Sequence, residues 1–147
     1  MNRIVLGGAQ LGLPYGILNG GETLSREEVA RILDTAVGHG IDSIDTAIAY
    51  GQSESVIGET AQNRFNIISK LPPLPSEVSN VSEWVHMHVD ASLARLKSSS
   101  LDALLLHRPQ DLTGPHGSEL YAAINSLKVE KIIHRFGISI YAPDELE

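Results

Sequence analysis

Apolar residues along the chain fall into two rhythms, short runs of strand length and longer stretches repeating every three or four positions. The segment Arg3 to Leu13, RIVLGGAQLGL, begins as a strand and loosens through Gly7, Gly8 and Gly12. Ile41 to Asp45, Phe65 to Leu71, Leu101 to Leu106 and Ile132 to Tyr141 read as four further strands, the last centred on Phe136 to Ile140. Between them the spacing predicts helices. Val29, Ile32, Leu33, Ala36 and Val37 mark the inward stripe of the first, opened by the capping box Ser25-Arg26-Glu27-Glu28 and ended by Gly38 and Gly40. Val56, Ile57 and Ala61 mark a short second helix. A longer third helix follows a second capping-box candidate, Asn80-Val81-Ser82-Glu83, with Val81, Trp84, Val85, His88, Val89, Ser92, Leu93 and Leu96 facing inward. Leu120, Ala123, Ile124 and Leu127 support a fourth over Ser118 to Val129. Pro14 to Glu22 reads as a Gly-rich loop, and Pro72-Pro73-Leu74-Pro75 as a stiff one. Pro143-Asp144-Glu145-Leu146 reads as the first turn of another helix.

Five strands alternating with four helices argue for a parallel sheet with right-handed crossovers in one unit over residues 1–147. A complete (β/α)8 barrel needs about 250 residues. The expected architecture is therefore half of such a barrel, or else a small open doubly wound sheet. Five strands without closure would leave two unpaired edges. Self-association or a complementary half-barrel is the expected remedy.

Composition narrows the function classes. The net charge of -7 disfavours nucleic acid and anionic membrane surfaces as partners, and small neutral or anionic metabolites remain. With no cysteine, disulfide and thiolate chemistry are out. There is no run of about eighteen apolar residues, and Met1-Asn2-Arg3 leads straight into a strand-like segment, so a cytoplasmic location is the default expectation.

Four ionisable residues stand at or just beyond successive strand ends: Asp45 and Tyr50 after the second strand, Lys70 in the third and His107 after the fourth. Taken singly, each has an ordinary explanation as loop cap, sheet cap, snorkelling lysine or core histidine. Neighbouring strand ends in a barrel are close, however, so the four could meet at one mouth. A phenol of pKa about 10 is a poor acid at neutral pH unless a cation stabilises its phenolate. Lys70 could supply that cation, Asp45 could orient the ammonium, and His107 could hydrogen-bond a substrate oxygen. The remaining histidines carry no metal pattern; His86 and His88 lie two apart on one helix and point to different faces.

With these residues in place, the chain resembles the aldo-keto reductase family of NADP-dependent oxidoreductases. The matching pieces are Asp45-Thr46-Ala47 through Tyr50-Gly51 and Ser53-Glu54, then Ile68-Ser69-Lys70, then Ser92 to Leu96 leading to Leu104-Leu105-Leu106-His107-Arg108-Pro109, and finally Gly137-Ile138-Ser139. The resemblance implies a TIM barrel in which Asp45, Tyr50, Lys70 and His107 form the catalytic tetrad, with Tyr50 the general acid. It implies NADPH as hydride donor and a small aldehyde or ketone as substrate. Gly7, Gly8, Ala9, Asp45 and Ser139 are expected near the nicotinamide end of the cofactor. It also departs from the family at the end of the fourth helix, where a glycine is usual and this chain has Glu130 and Lys131. The likeness covers the first half of the family's fold, and the family's other cofactor contacts come from later strands. The competing reading is a non-catalytic binding or regulatory half-barrel that has lost cofactor binding.

Overall fold

A computed structural model describes residues 4–14 and 23–146. The expected Gly-rich loop therefore lies mostly outside the described residues. Five parallel strands, β1 (Leu6–Gly7), β2 (Ser43–Asp45), β3 (Asn66–Leu71), β4 (Leu101–Leu106) and β5 (Ile133–Ile138), pair in the order in which they occur in the chain. That order decides between the two expected architectures. A doubly wound sheet reverses direction at a switch point and carries helices on both faces. A parallel sheet that always adds its next strand on the same side puts every right-handed crossover on one face, as a barrel does. The chain forms an incomplete (β/α)8-type arrangement.

Register then sorts the side chains into two faces, because they alternate along each strand. Leu6, Ile44 and Ile67 lie in one row, and Ser69, Leu104 and Phe136 in another on the same face. This face meets the helices α2 (Arg26–Gly38), α3 (Ser53–Thr60), α4 (Val81–Leu96) and α5 (Gly117–Val129). Ile44, Leu71, Leu104 and Leu106 are at most 1% exposed and pack in one core with Val29, Leu33, Val85, Val89, Leu120 and Leu127. Each such side chain contributes about 1.5–3 kcal/mol relative to exposure. Gly7, Asp45, Ile68, Ala103 and Arg135 form a row on the opposite face, with Lys70, Leu105 and Gly137 forming the row above it.

Helix ends follow local chemistry. Ser25 and Glu28 form the expected capping box, and the Ser25 backbone N–H, then its hydroxyl, hold the Glu28 carboxyl below its usual range. At Asn80 only half of the expected box forms. Its side chain accepts from the Glu83 N–H at 3.1 Å, whereas the Glu83 carboxylate reaches the Asn80 side-chain amide and not its backbone. Helix α5 ends with Lys131 in the left-handed region at φ 62°, the place where a glycine costs least. Where α3 crosses α4, Gly58 allows close contact: a Cβ there would lie 2.2 Å from the Arg95 carbonyl oxygen.

Several expectations are corrected. The first strand is two residues long and passes into a helical turn, α1 (Ala9–Gly12), where an open loop was expected. The Gly8 N–H is held by the Asp45 carbonyl at 2.7 Å, and the following amides then close on carbonyls within their own turn. Strand β5 stops at Ile138 and does not reach Tyr141, because β4 ends at Leu106 and the Ser139 N–H donates to the Leu106 carbonyl as the pairing runs out. The segment Pro143–Leu146 is a 3-10 turn. Ile32 and Val37, expected to face inward, are 37% and 39% exposed on α2, the long helix nearest the β1 edge of the sheet. Trp84 is only partly buried; it packs against the core and over the His88 ring, centroids 4.2 Å apart.

Candidate active site

All four candidate residues gather at the end of the sheet where the strands stop. Asp45 is the last residue of β2, Lys70 the second-last of β3, and His107 follows the last residue of β4. Tyr50 stands in the turn between β2 and α3, fixed by its N–H on the Ala47 carbonyl and by its own carbonyl accepting from the Ser53 N–H. Asp45 and Lys70 face the same side because both belong to the rows lined by Gly7 and Gly137.

Lys70 is the centre of the group. Its Nζ donates to Asp45 Oδ1 at 2.5 Å and to the Thr46 carbonyl at 3.0 Å. It also lies 5.2 Å from the centroid of the Tyr50 ring. A lysine ammonium with only 4% of its side chain exposed requires such partners, since burying an unpaired charge is costly. The His107 ring also meets Tyr50, edge-on, with centroids 5.9 Å apart. Burial, and then the Lys70 charge, push the His107 imidazolium toward deprotonation, with Asp45 opposing them in part. His107 therefore titrates below its ordinary value, and its neutral form carries the site at neutral pH.

The residues expected at a cofactor's nicotinamide end divide into two places. Gly7 and Gly8 adjoin Asp45, the first as its register partner and the second through the hydrogen bond to its carbonyl. Ala9 opens α1 beside them. A Cβ built on Gly7 would meet nothing within 4 Å among the described residues, so the sheet face next to Asp45 is open at that point. Ser139 stands beyond β5, tied by its N–H to Leu106, next to His107.

Other residues that shape the site were not assigned roles by sequence reasoning. Ser53 Oγ donates to the Gly8 carbonyl at 2.7 Å and meets Thr46 Oγ1 at 2.8 Å, joining the loops after β1 and β2. Gly12 sits so close to the start of α3 that a Cβ would lie 1.9 Å from the Ser53 nitrogen. Asp111, buried, accepts from the Leu74 N–H at 2.9 Å and from Arg108, whose Nη2 also donates to the Leu74 carbonyl. That triangle pins the proline-rich loop after β3 to the turn after β4. Behind β3, Glu54 is 2% exposed and binds Ser69, Ser92 and Arg95. Its signal in the sequence was spacing: Glu54, Ile57 and Ala61 share one helix face, which makes Glu54 a carboxylate on a buried stripe. Among the described residues no helix is long and apolar enough to cross a membrane.

A singly wound parallel sheet of five strands, with a carboxylate, a lysine, a phenol and an imidazole at its strand ends, is an incomplete (β/α)8-type arrangement with an ionisable cluster at its mouth. The sequence profile of the aldo/keto reductase family matches residues 3–147, and the chain belongs to that family. It is 32% identical over 153 aligned positions to D-arabinose 1-dehydrogenase of Saccharomyces cerevisiae, covering 98% of this chain and 44% of that protein. It is 30% identical to 6-dehydroglucose reductase of Novosphingobium aromaticivorans, covering 81% of this chain and 43% of that one. Among solved structures, an aldo/keto reductase of Klebsiella pneumoniae in complex with NADP and acetate matches 97% of this chain and 47% of its own, with 26% identity and a TM-score of 0.71. The chain thus spans less than half the length of the curated relatives it matches.

Proposed function

We propose that this chain carries the carbonyl-reducing half of an NADPH-linked aldo-keto reductase site, acting on a small aldehyde or ketone. The observation that carries the reading is the contact set of Lys70: one ammonium held by Asp45 and Thr46 and placed beside the Tyr50 ring. NADPH supplies a hydride when bound. Gly7, Gly8, Ala9, Asp45 and Ser139 would hold its nicotinamide end, a placement supported by the open sheet face at Gly7 among the described residues.

In this reading His107, neutral, donates a hydrogen bond to the carbonyl oxygen and fixes the substrate beside Tyr50. The Tyr50 hydroxyl would give its proton to the carbonyl oxygen as the carbon is reduced, leaving an alcohol on the substrate and a phenolate on Tyr50. Lys70 stabilises that phenolate by charge, and Asp45 keeps the ammonium from swinging away. Thr46 does the same through its carbonyl. The activities of the relatives, a sugar dehydrogenase and a dehydroglucose reductase, support a polyhydroxy carbonyl compound as the substrate class.

The test is a titration of NADPH into the chain followed by fluorescence, then addition of an aldehyde with absorbance at 340 nm. Binding at sub-millimolar cofactor and aldehyde-dependent consumption are expected. Absence of binding would favour the competing non-catalytic half-barrel.

A further inference from the structure

Behind the strand that carries Lys70 lies a buried polar cluster centred on Glu54. Glu54 lies in the first turn of α3, four residues after Tyr50. One carboxylate oxygen accepts from Ser69 Oγ and Ser92 Oγ, each at 2.6 Å. The other receives Arg95, with Nε at 2.8 Å and Nη2 at 2.7 Å. Both oxygens are used, and three separate elements, α3, β3 and α4, meet on one carboxylate.

The placement within the strand matters most. Ser69 precedes Lys70 in β3, so its side chain leaves the opposite face of the sheet: Ser69 points back to Glu54 while Lys70 points forward to Asp45 and Tyr50. Glu54 thus fixes the start of α3, which carries the Tyr50 turn, directly to the strand that carries Lys70. Oriented, charge-assisted hydrogen bonds in a buried place hold geometry more tightly than apolar packing, which tolerates sliding. Burying a carboxylate behind an aliphatic sheet is costly for stability alone, since an apolar cluster of the same volume does as well or better. Such a cluster would leave the turn and the strand free to shift past one another.

We infer that Glu54 is a positioning residue for the proposed reaction: through Ser69 it sets the separation of the Tyr50 phenol from the Lys70 ammonium, and Arg95 and Ser92 hold it in place. The inference rests on the assignment of Tyr50 and Lys70 proposed above. Charge stabilisation of a phenolate falls with distance, so a small drift of α3 away from β3 weakens it.

The experiment reads the phenol without requiring turnover. Ionisation of Tyr50 is isolated as the difference between the alkaline absorbance titrations of the chain and of Tyr50→Phe, and repeated with Lys70→Met, Glu54→Gln, Ser69→Ala and, as a control, Leu127→Ala. Leu127 is a fully buried core residue of α5 outside the cluster, so its truncation loosens the fold without touching Glu54. Lys70→Met is expected to raise the Tyr50 midpoint, Glu54→Gln and Ser69→Ala to raise it by a smaller amount of about half a pH unit, and Leu127→Ala to leave it in place. If Lys70→Met leaves the midpoint unmoved, the pairing of Tyr50 with Lys70 fails, and the functional reading with it. If Lys70→Met moves it but the folded Glu54 and Ser69 variants do not, or if Leu127→Ala moves it as far, the positioning role alone is overturned. Ser69→Ala, which cuts only the link to β3, keeps the test decisive should Glu54→Gln not fold.

Discussion

Lys70 and Asp45 form an ion pair of unequal partners: the ammonium lies 2.5 Å from the carboxylate, yet the lysine side chain is 4% exposed and the aspartate 39%. Water can solvate the anion and cannot reach the cation. The two partners should therefore respond differently to removal. Lys70→Met replaces a buried charge by an apolar chain of similar volume and leaves an aspartate that water can serve, so stability is expected to stay within about 1 kcal/mol of the parent. Asp45→Ala strands the ammonium and is expected to cost roughly 2–3 kcal/mol. Urea denaturation of both variants checks the asymmetry; equal losses would mean that Lys70 is better solvated than its burial implies.

His107 makes stability depend on pH in a defined direction. Its folded value is lowered from 6.5, first by burial and then by Lys70. Between the folded value and 6.5 the unfolded chain binds more protons, so stability rises with pH across that window, is fully present above 6.5 and is lost as pH falls through the folded value. His107→Gln is expected to flatten this part of the profile. Denaturant melts from pH 7.5 downward should show the parent losing more stability than the variant. The Glu28 contribution begins below 4.5 and is common to both.

Two backbone positions have opposite expectations. Gly58→Ala would drive a Cβ to 2.2 Å from the Arg95 carbonyl oxygen, forcing α3 and α4 apart at a cost of about 2–3 kcal/mol. Lys131→Gly relieves a left-handed backbone at the end of α5 and is expected to add about 1 kcal/mol. Thermal melts of the two single variants should bracket the parent.

Strands β1 and β5 each have a neighbour on one side only among the described residues. Ile4, Val5, Ile32 and Val37, exposed at or near the β1 edge, add apolar surface. Association with a second copy or a complementary half is expected to cover it. Light scattering after gel filtration should show a mass that rises with concentration. A stable dilute monomer with a sharp thermal transition would contradict this.

Much of this arrangement is legible in the sequence because one-dimensional periodicity and strand ends carry it. The Val81 to Leu96 stripe and the Ser25 box mark their helices, and alternation through Ile41 to Asp45 puts Asp45 where β2 stops. Strand order was not legible, since half a barrel and a doubly wound sheet share the same alternation of elements. Nor was the short helix α1, which depends on a long-range hydrogen bond from Gly8 to Asp45. The exposure of Ile32 and Val37 escaped for the same kind of reason, because helical spacing reports a stripe and not what covers it. Glu54 was visible as a residue, but its partners Ser69, Ser92 and Arg95 come together only when β3 and α4 pack.

The most direct test of the proposed chemistry is turnover by Tyr50→Phe, which removes one oxygen and keeps the ring that contacts Lys70 and His107. Aldehyde-dependent NADPH consumption is expected to fall roughly 100-fold or more, the usual scale for losing a general acid, while NADPH affinity stays within about twofold. A variant that reduces aldehyde at the parental rate would contradict Tyr50 as the proton donor.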